Sequence, residues 1–136
     1  MILIAHRGNI AGVTNHENKP DYVKYALGKG YDAEVDVWYH RGQFYLGHDE
    51  PRYETNGRWL KKNHLWCHAK SIEALYQLTL INAHCFFQQA DDVALTSWGY
   101  LWTYTGVPLT PLSIAVLCMP DSHCAGVCLD DLRGLG

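Results

Sequence analysis

No stretch of this sequence is apolar for long enough to cross a bilayer, and the opening apolar run, residues 1–5, stops at His6 and Arg7, far short of a secretory leader's hydrophobic centre. On this reading a membrane span is excluded and the cytoplasm is the expected compartment. An excess of positive charge is missing as well. The 11 Lys and Arg are scattered against 14 Asp and Glu, for a net charge of -3. Nucleic acid, whose backbone needs a cationic surface, is therefore not an expected partner, and a small molecule is. Linkers rich in Gly and Ser, low-complexity segments and internal repeats are also lacking, so residues 1–136 read as a single domain. The five cysteines, an odd number, lie mostly in apolar, strand-like runs where Cys behaves as a small hydrophobe, and reduced thiols are expected.

What is present is apolar material, 48% of the residues with 12% aromatic, enough for a real core. It comes in short runs at residues 2–5, 33–37, 65–69, 84–87, 100–104, 114–118 and 126–129, separated by helical or loop-like stretches, the rhythm of βα units. One helix is expected over residues 19–29, with Pro20 in its first turn, Tyr22, Val23, Ala26 and Leu27 on one face, and Gly28 and Gly30 to stop it. Another starts behind Ser71 as N-cap and carries Ile72, Leu75 and Tyr76. The turn His40-Arg41-Gly42 predicts a hairpin with an extra extended piece at residues 43–46.

Three motifs carry chemistry. Glu34 and Asp36 sit two apart, so a strand puts both on one face and Ala33, Val35 and Val37 on the other. If the apolar face packs on helices, the acids point inward, where unpaired charge is costly and a cation is the natural partner. His6-Arg7-Gly8 ends the first strand, and an imidazole beside a guanidinium pairs a general acid or base with a phosphate clamp. In Gly47-His48-Asp49 the carboxylate of Asp49 is placed to orient or polarise His48. Trp66, His68 and Lys70 alternate with Leu65, Cys67 and Ala69, giving that run one polar face, and His68 is expected beside Glu34 and Asp36. Tyr100, Trp102 and Tyr104 share a face that would serve as pocket wall or as core, and Gln88 is placed near the site or in a turn.

In this order and spacing, His-Arg-Gly, Glu-x-Asp and His-Asp resemble the glycerophosphodiester phosphodiesterase family of the phosphatidylinositol-phospholipase-C-like enzymes, related also to the sphingomyelinase D type. His16-Glu17-Asn18 is similar to that family's Glu-Asn element, with His16 where Pro is usual. Trp66-Cys67-His68-Ala69-Lys70 falls where the third strand carries an acid-x-Lys pair, so Lys70 matches and His68 departs. The likeness covers residues 2–70 and thins afterwards. It implies His6 and His48 as acid and base and Arg7 and Lys70 on the phosphate. Glu34 and Asp36, with His68, would hold a divalent ion (Mg²⁺, Ca²⁺ or Mn²⁺), with Glu17 and Asp49 behind the site and Trp102 and Tyr104 along the pocket.

The family fold is a (β/α)₈ barrel of about 250 residues. The expectation here is accordingly α/β, a reduced or compact TIM-type (β/α) barrel with shortened or missing late helices and a homodimer covering exposed apolar surface. The expected activity is metal-dependent cleavage of a small, glycerophosphodiester-like phosphodiester. Two rivals from other classes are a non-catalytic module that binds a phosphate ligand, and a zinc-stabilised interaction domain on Cys118, His123, Cys124 and Cys128.

Overall fold

The computed structural model describes residues 1–120 and 123–135. All seven apolar runs become strands, and they pair in parallel. β1 (Ile2–His6) leads through helix α1 (Pro20–Gly28) to β2 (Asp32–His40), which pairs with β1 so that His6 lies opposite Glu34. At Arg41 and Gly42, whose φ values of 50° and 77° both lie in the left-handed region, the chain reverses into β3 (Gln43–Leu46). Two such residues between paired strands make the tight turn whose twist suits a hairpin, and the antiparallel ladder runs from His40↔Gln43 to Val37↔Leu46. β4 (Tyr53–Thr55) extends that hairpin, and the short α2 (Gly57–Leu60) returns the chain to β5 (Leu65–Ala69), parallel to β2 with Asp36 opposite His68.

Ser71 caps α3 (Ile72–Leu80), its hydroxyl accepting from the Ala74 N–H at 3.1 Å. The face that α3 buries carries Ala74 and Leu78, whereas Ile72 and Tyr76 are exposed. β6 (Cys85–Phe87) follows, parallel to β5. β7 (Val93–Leu95) then turns back antiparallel on β8 (Leu101–Thr103), and β9 (Ser113–Val116) and β10 (Gly126–Leu129) complete a parallel run β8-β9-β10-β1.

The expected TIM-type (β/α) barrel does not form. Among the described residues the chain forms a ten-stranded sheet curled into a half-barrel, with three short helices, and β6 and β7 meet without a ladder between them. Ser97 bridges that seam, its N–H donating to the Cys85 carbonyl at 2.8 Å and its hydroxyl accepting from the Cys85 N–H. The physical reason lies in the late connections. Only residues 88–92 join β6 to β7, too few for a helix, and the β7-β8 hairpin interrupts the parallel ladder that closure needs. No helix among the described residues is long and apolar enough to cross a membrane.

Two cores result, one on each face of the sheet. On the convex side Val23, Ala26, Leu60, Ala74 and Leu78 from the helices pack on Ala5, Ala33, Val35, Val37, Cys67 and Cys85 of the strands. Inside the curl Ile4, Trp66, Phe86, Trp102, Ile114, Val116 and Cys128 form the second. The strand period of two explains what lies above the inner core. Two positions beyond Ile4, Trp66, Phe86, Trp102 and Cys128 come His6, His68, Gln88, Tyr104 and Asp130. An apolar floor thus carries a polar layer at the C-terminal ends of the strands.

Candidate functional site

That polar layer encloses a cavity of about 540 Å³ whose lining includes His6, Arg7, Glu34, Asp36, His48, His68, Lys70, Gln88, Trp102 and Tyr104. Glu34 and Asp36 point into it and are almost fully buried, 2% and 1% exposed. Polar groups buried this deeply need partners, so the bonds around them matter. One oxygen of each is held by the protein: Glu34 Oε1 accepts the Arg7 backbone N–H at 3.1 Å, and Asp36 Oδ2 accepts Asn18 Nδ2–H at 3.0 Å. The Asn18 side chain also accepts the Asp36 N–H at 2.9 Å, a two-bond clamp. The remaining oxygens, Asp36 Oδ1 and Glu34 Oε2, face His68 Nδ1 at 3.2 and 3.7 Å.

His68 stacks on Phe86 at 4.9 Å, and its Nε2–H donates to the Gln88 carbonyl at 3.0 Å. With Nε2 protonated, Nδ1 is the nitrogen turned to the carboxylates, and it either carries a proton or meets another cation. Burial disfavours the imidazolium, but its hydrogen bonds to the accepting carboxylates of Asp36 and Glu34, together with their charges, outweigh it and raise the pKa to about 9. In return, burial of Asp36 is outweighed by the His68 and Asn18 hydrogen bonds and the charges of His68 and Lys70, which leaves its carboxyl below the usual range.

His6 is fixed by a residue that lies beyond the stretch, residues 2–70, that the family likeness covers. Its Nδ1–H donates to Asp130 at 2.8 Å, so Nε2 is the free ring nitrogen on the cavity side. Asp130 also accepts Asn9 Nδ2–H at 3.0 Å, the same amide donates to Glu17, and Tyr22 donates to Asn9 Oδ1 at 2.8 Å. Arg7 adopts φ 55° at the end of β1, and Gly8 follows at φ 86°, where a Cβ would press on Val23 and Tyr22 of α1 at 3.1 Å. Only glycine fits that turn, and the turn aims Arg7 back over the carboxylates. Its Nε stands 3.5 Å from Asp36 Oδ2, buried and without a hydrogen-bond partner. Its Nη1 lies 3.6 Å from Glu17. Lys70 lines the cavity one residue beyond β5.

His48 enters from the loop after β3, on the open side of the cavity. Its side chain is 44% exposed, and Nδ1–H donates to Asp49 at 2.7 Å. Glu17 and Asp49 stand behind the cavity rather than in its wall, Trp102 is floor at 1% exposure, and Tyr104 is wall. Asn9, Asn18 and Asp130 were not assigned roles from the sequence. Asp130 had a signal, the alternation Gly126-Cys128-Asp130, whereas nothing local marks Asn9.

Among the described residues two groups bring three potential metal ligands together: Glu34, Asp36 and His68, and His6, Glu17 and Asp130. In the second, the Asn9 amide and the His6 N–H already donate to the carboxylates, so it is a satisfied hydrogen-bond network. The first offers two free carboxylate oxygens and one ring nitrogen facing a single point, a donor set that suits a divalent cation displacing the His68 proton. Cys118, His123, Cys124 and Cys128 do not converge: Cys128 is in the inner core and Cys124 bonds the Gly126 carbonyl. The five thiols are unpaired. Comparison with protein-family models, with curated proteins and with solved structures finds no match for this chain.

Proposed function

We propose that this chain is a metal-dependent phosphodiesterase that cleaves a small, glycerophosphodiester-like phosphodiester, with His6 and His48 as the acid-base pair. The observation that carries the reading is the convergence of two carboxylate-backed imidazoles and two cationic side chains on one cavity beside the Glu34, Asp36 and His68 donor set. A phosphodiester is a stable anion. Its cleavage needs charge neutralised at the non-bridging oxygens, a hydroxyl or water deprotonated, and the leaving oxygen protonated. Arg7, with an unpartnered N–H, and Lys70 supply donors and positive charge to the anion. A divalent cation held by Glu34, Asp36 and His68 would add charge neutralisation at those oxygens.

His6 suits the base. Asp130 keeps its Nε2 free and stabilises the imidazolium that forms when it takes a proton from water or from a neighbouring substrate hydroxyl. His48, on the solvent side, gives a proton to the departing alcohol and regains it from water. A second reading, a module that binds a phosphate ligand without turnover, is favoured by one observation: the His68 imidazolium already offsets charge in the carboxylate pair.

The deciding experiment is turnover of glycerophosphodiesters after EDTA treatment. Activity abolished by the chelator and restored by Mg²⁺ or Mn²⁺ supports the enzyme. Phosphate binding without turnover at any metal concentration supports the module. Titrating metals against wild type and His68→Glu separates the roles of His68, because an added carboxylate shifts preference toward Mg²⁺ or Ca²⁺ only if residue 68 is a ligand.

A further inference from the structure

A histidine in a cation site meets a difficulty that a carboxylate does not. The two oxygens of an ionised carboxylate are equivalent, whereas of the two nitrogens of a neutral imidazole one carries the proton and the other the lone pair. A ring free to turn offers them alternately, and a ligand serves only while the same atom stays in place. The end of β6 removes that freedom from His68. Phe86, paired with His68 in the ladder, stacks on the imidazole at 4.9 Å with 12° between the planes. Two positions on, the Gln88 carbonyl takes the Nε2–H at 3.0 Å. A carbonyl only accepts, so Nε2 is the protonated atom and Nδ1 is the one left to Asp36 and Glu34.

That carbonyl belongs to the connection 88–92, which is itself tied down. The Gln88 side chain bonds along it, Nε2–H donating to the Asp91 carbonyl, and the Tyr104 N–H donates to the Asp92 carbonyl at 2.9 Å. Gln88 is 9% exposed and lines the cavity, and its Oε1 is buried with no hydrogen-bond partner. Among the described residues, then, the bond to Asp91 is what the side-chain amide makes within the protein.

We propose that Gln88 and Phe86 are positioning residues. Gln88 fastens the connection whose carbonyl holds the His68 ring, Phe86 sets the plane of that ring, and together they make Nδ1 the nitrogen that meets a cation at Glu34 and Asp36. The inference rests on the metal reading above. It carries a dependence that marks it out: the fastening matters only while residue 68 is a histidine, because a carboxylate there has equivalent oxygens and needs no such choice.

The test is a double-mutant comparison on the full chain, with Mn²⁺ affinity measured calorimetrically. Gln88→Met keeps the length of the side chain and removes its donor. With His68 in place it is expected to weaken Mn²⁺ binding about tenfold, the low end of what losing a ligand's support costs. In the His68→Glu background the same change should cost less than about twofold, the scatter of independent sites. Phe86→Leu, which removes the stacking surface, should show the same dependence, and thermal melting checks that each variant is folded. The wild type tests the idea without any substitution: ¹⁵N NMR of histidine-labelled protein with Zn²⁺ should show the ion on Nδ1 of His68 and a proton on Nε2.

Equal losses in the two backgrounds would make Gln88 a ligand itself or a support of the whole site, and overturn the positioning role. An unchanged affinity in Gln88→Met, or the ion on Nε2 of His68 in wild type, also overturns it and spares the metal reading. Wild type that binds neither Mn²⁺ nor Zn²⁺ overturns both.

Discussion

The chain before residue 88 and the chain after it build the same curled sheet by different means. The first part alternates strands with helices that cover the convex face, so its strands are packed on both sides and their ends can carry buried charge: Glu34, Asp36, His68 and the Arg7 turn all belong to it. The second part has strands joined by loops among the described residues, and gives the cavity part of its floor and its far wall through Trp102 and Tyr104, the carboxylates of Asp91 and Asp92 in its lining, and Asp130 behind His6. Buried charge needs a rigid frame of hydrogen bonds around it. The helix-backed half supplies that frame, and the loop-backed half closes off the space in front of it.

If the second half is a true core and not a loose cover, Trp102→Ala should be the most damaging change of all. The indole is 1% exposed and packs on Phe86 at 4.6 Å and Trp66 at 5.8 Å, and its removal is expected to cost about 3–5 kcal/mol. Denaturant unfolding measures this, with Leu78→Ala, under α3, as the counterpart from the first half. A cost below about 1 kcal/mol at Trp102 would show that the halves do not share one cooperative core.

Next in size is His6→Ala, expected to lower turnover by roughly 10²-fold or more, as is His48→Ala. Steady-state rates on a glycerophosphodiester read this out, and a wild-type rate in either variant removes that imidazole from the proposed chemistry.

A third expectation probes the charge frame of the first half through pH. The folded pKa of His68, about 9, lies above the unfolded value of about 6.5. The stabilisation it brings is therefore complete below pH 6.5 and lost as pH rises through 9, on the order of 2 kcal/mol. Melting in the presence of EDTA should show this decline, and His68→Gln should remove it. Burial of His84, which stacks on Trp98 at 4.5 Å, lowers its pKa to about 4. Its contribution has the opposite sign, with stability lost as pH falls from about 6.5 toward 4. A profile flat across both windows would contradict the assigned environments.

The smallest effect tests the bond that ties His6 to Asp130 in the second half. Asp130→Asn keeps the shape but gives His6 a weaker partner, and turnover should fall about tenfold with little change in KM. Combined with His6→Ala it should add nearly nothing, because Asp130 acts through His6. Full additivity would mean that Asp130 touches the substrate itself.

Half of this architecture could be read from local pattern. The left-handed pair Arg41-Gly42, Pro20 in the first turn of α1, the Ser71 cap and all seven apolar strands follow from residues close in sequence. Ile72 and Tyr76 could not be placed in this way, because a nine-residue helix with apolar residues on several sides leaves the choice of buried face to its neighbours. The same holds at the site. Alternation put Glu34 with Asp36, and the structure sets His68 against both, but Asn18 reaches Asp36 across 18 residues, and Asp130 reaches Asn9 and His6 across 121 and 124.

The sequence by itself determined which side chains share a strand face and where helices and turns begin, because those depend on a period of two or 3.6 and on the φ that a residue tolerates. Only the tertiary structure decided that the acidic face of β2 is the concave one and that the sheet stays a half-barrel, with His6 paired to a carboxylate near the other end of the chain. Curvature and closure are set by the lengths of the late connections and by which strand edges meet, and those are long-range pairings that no local period records.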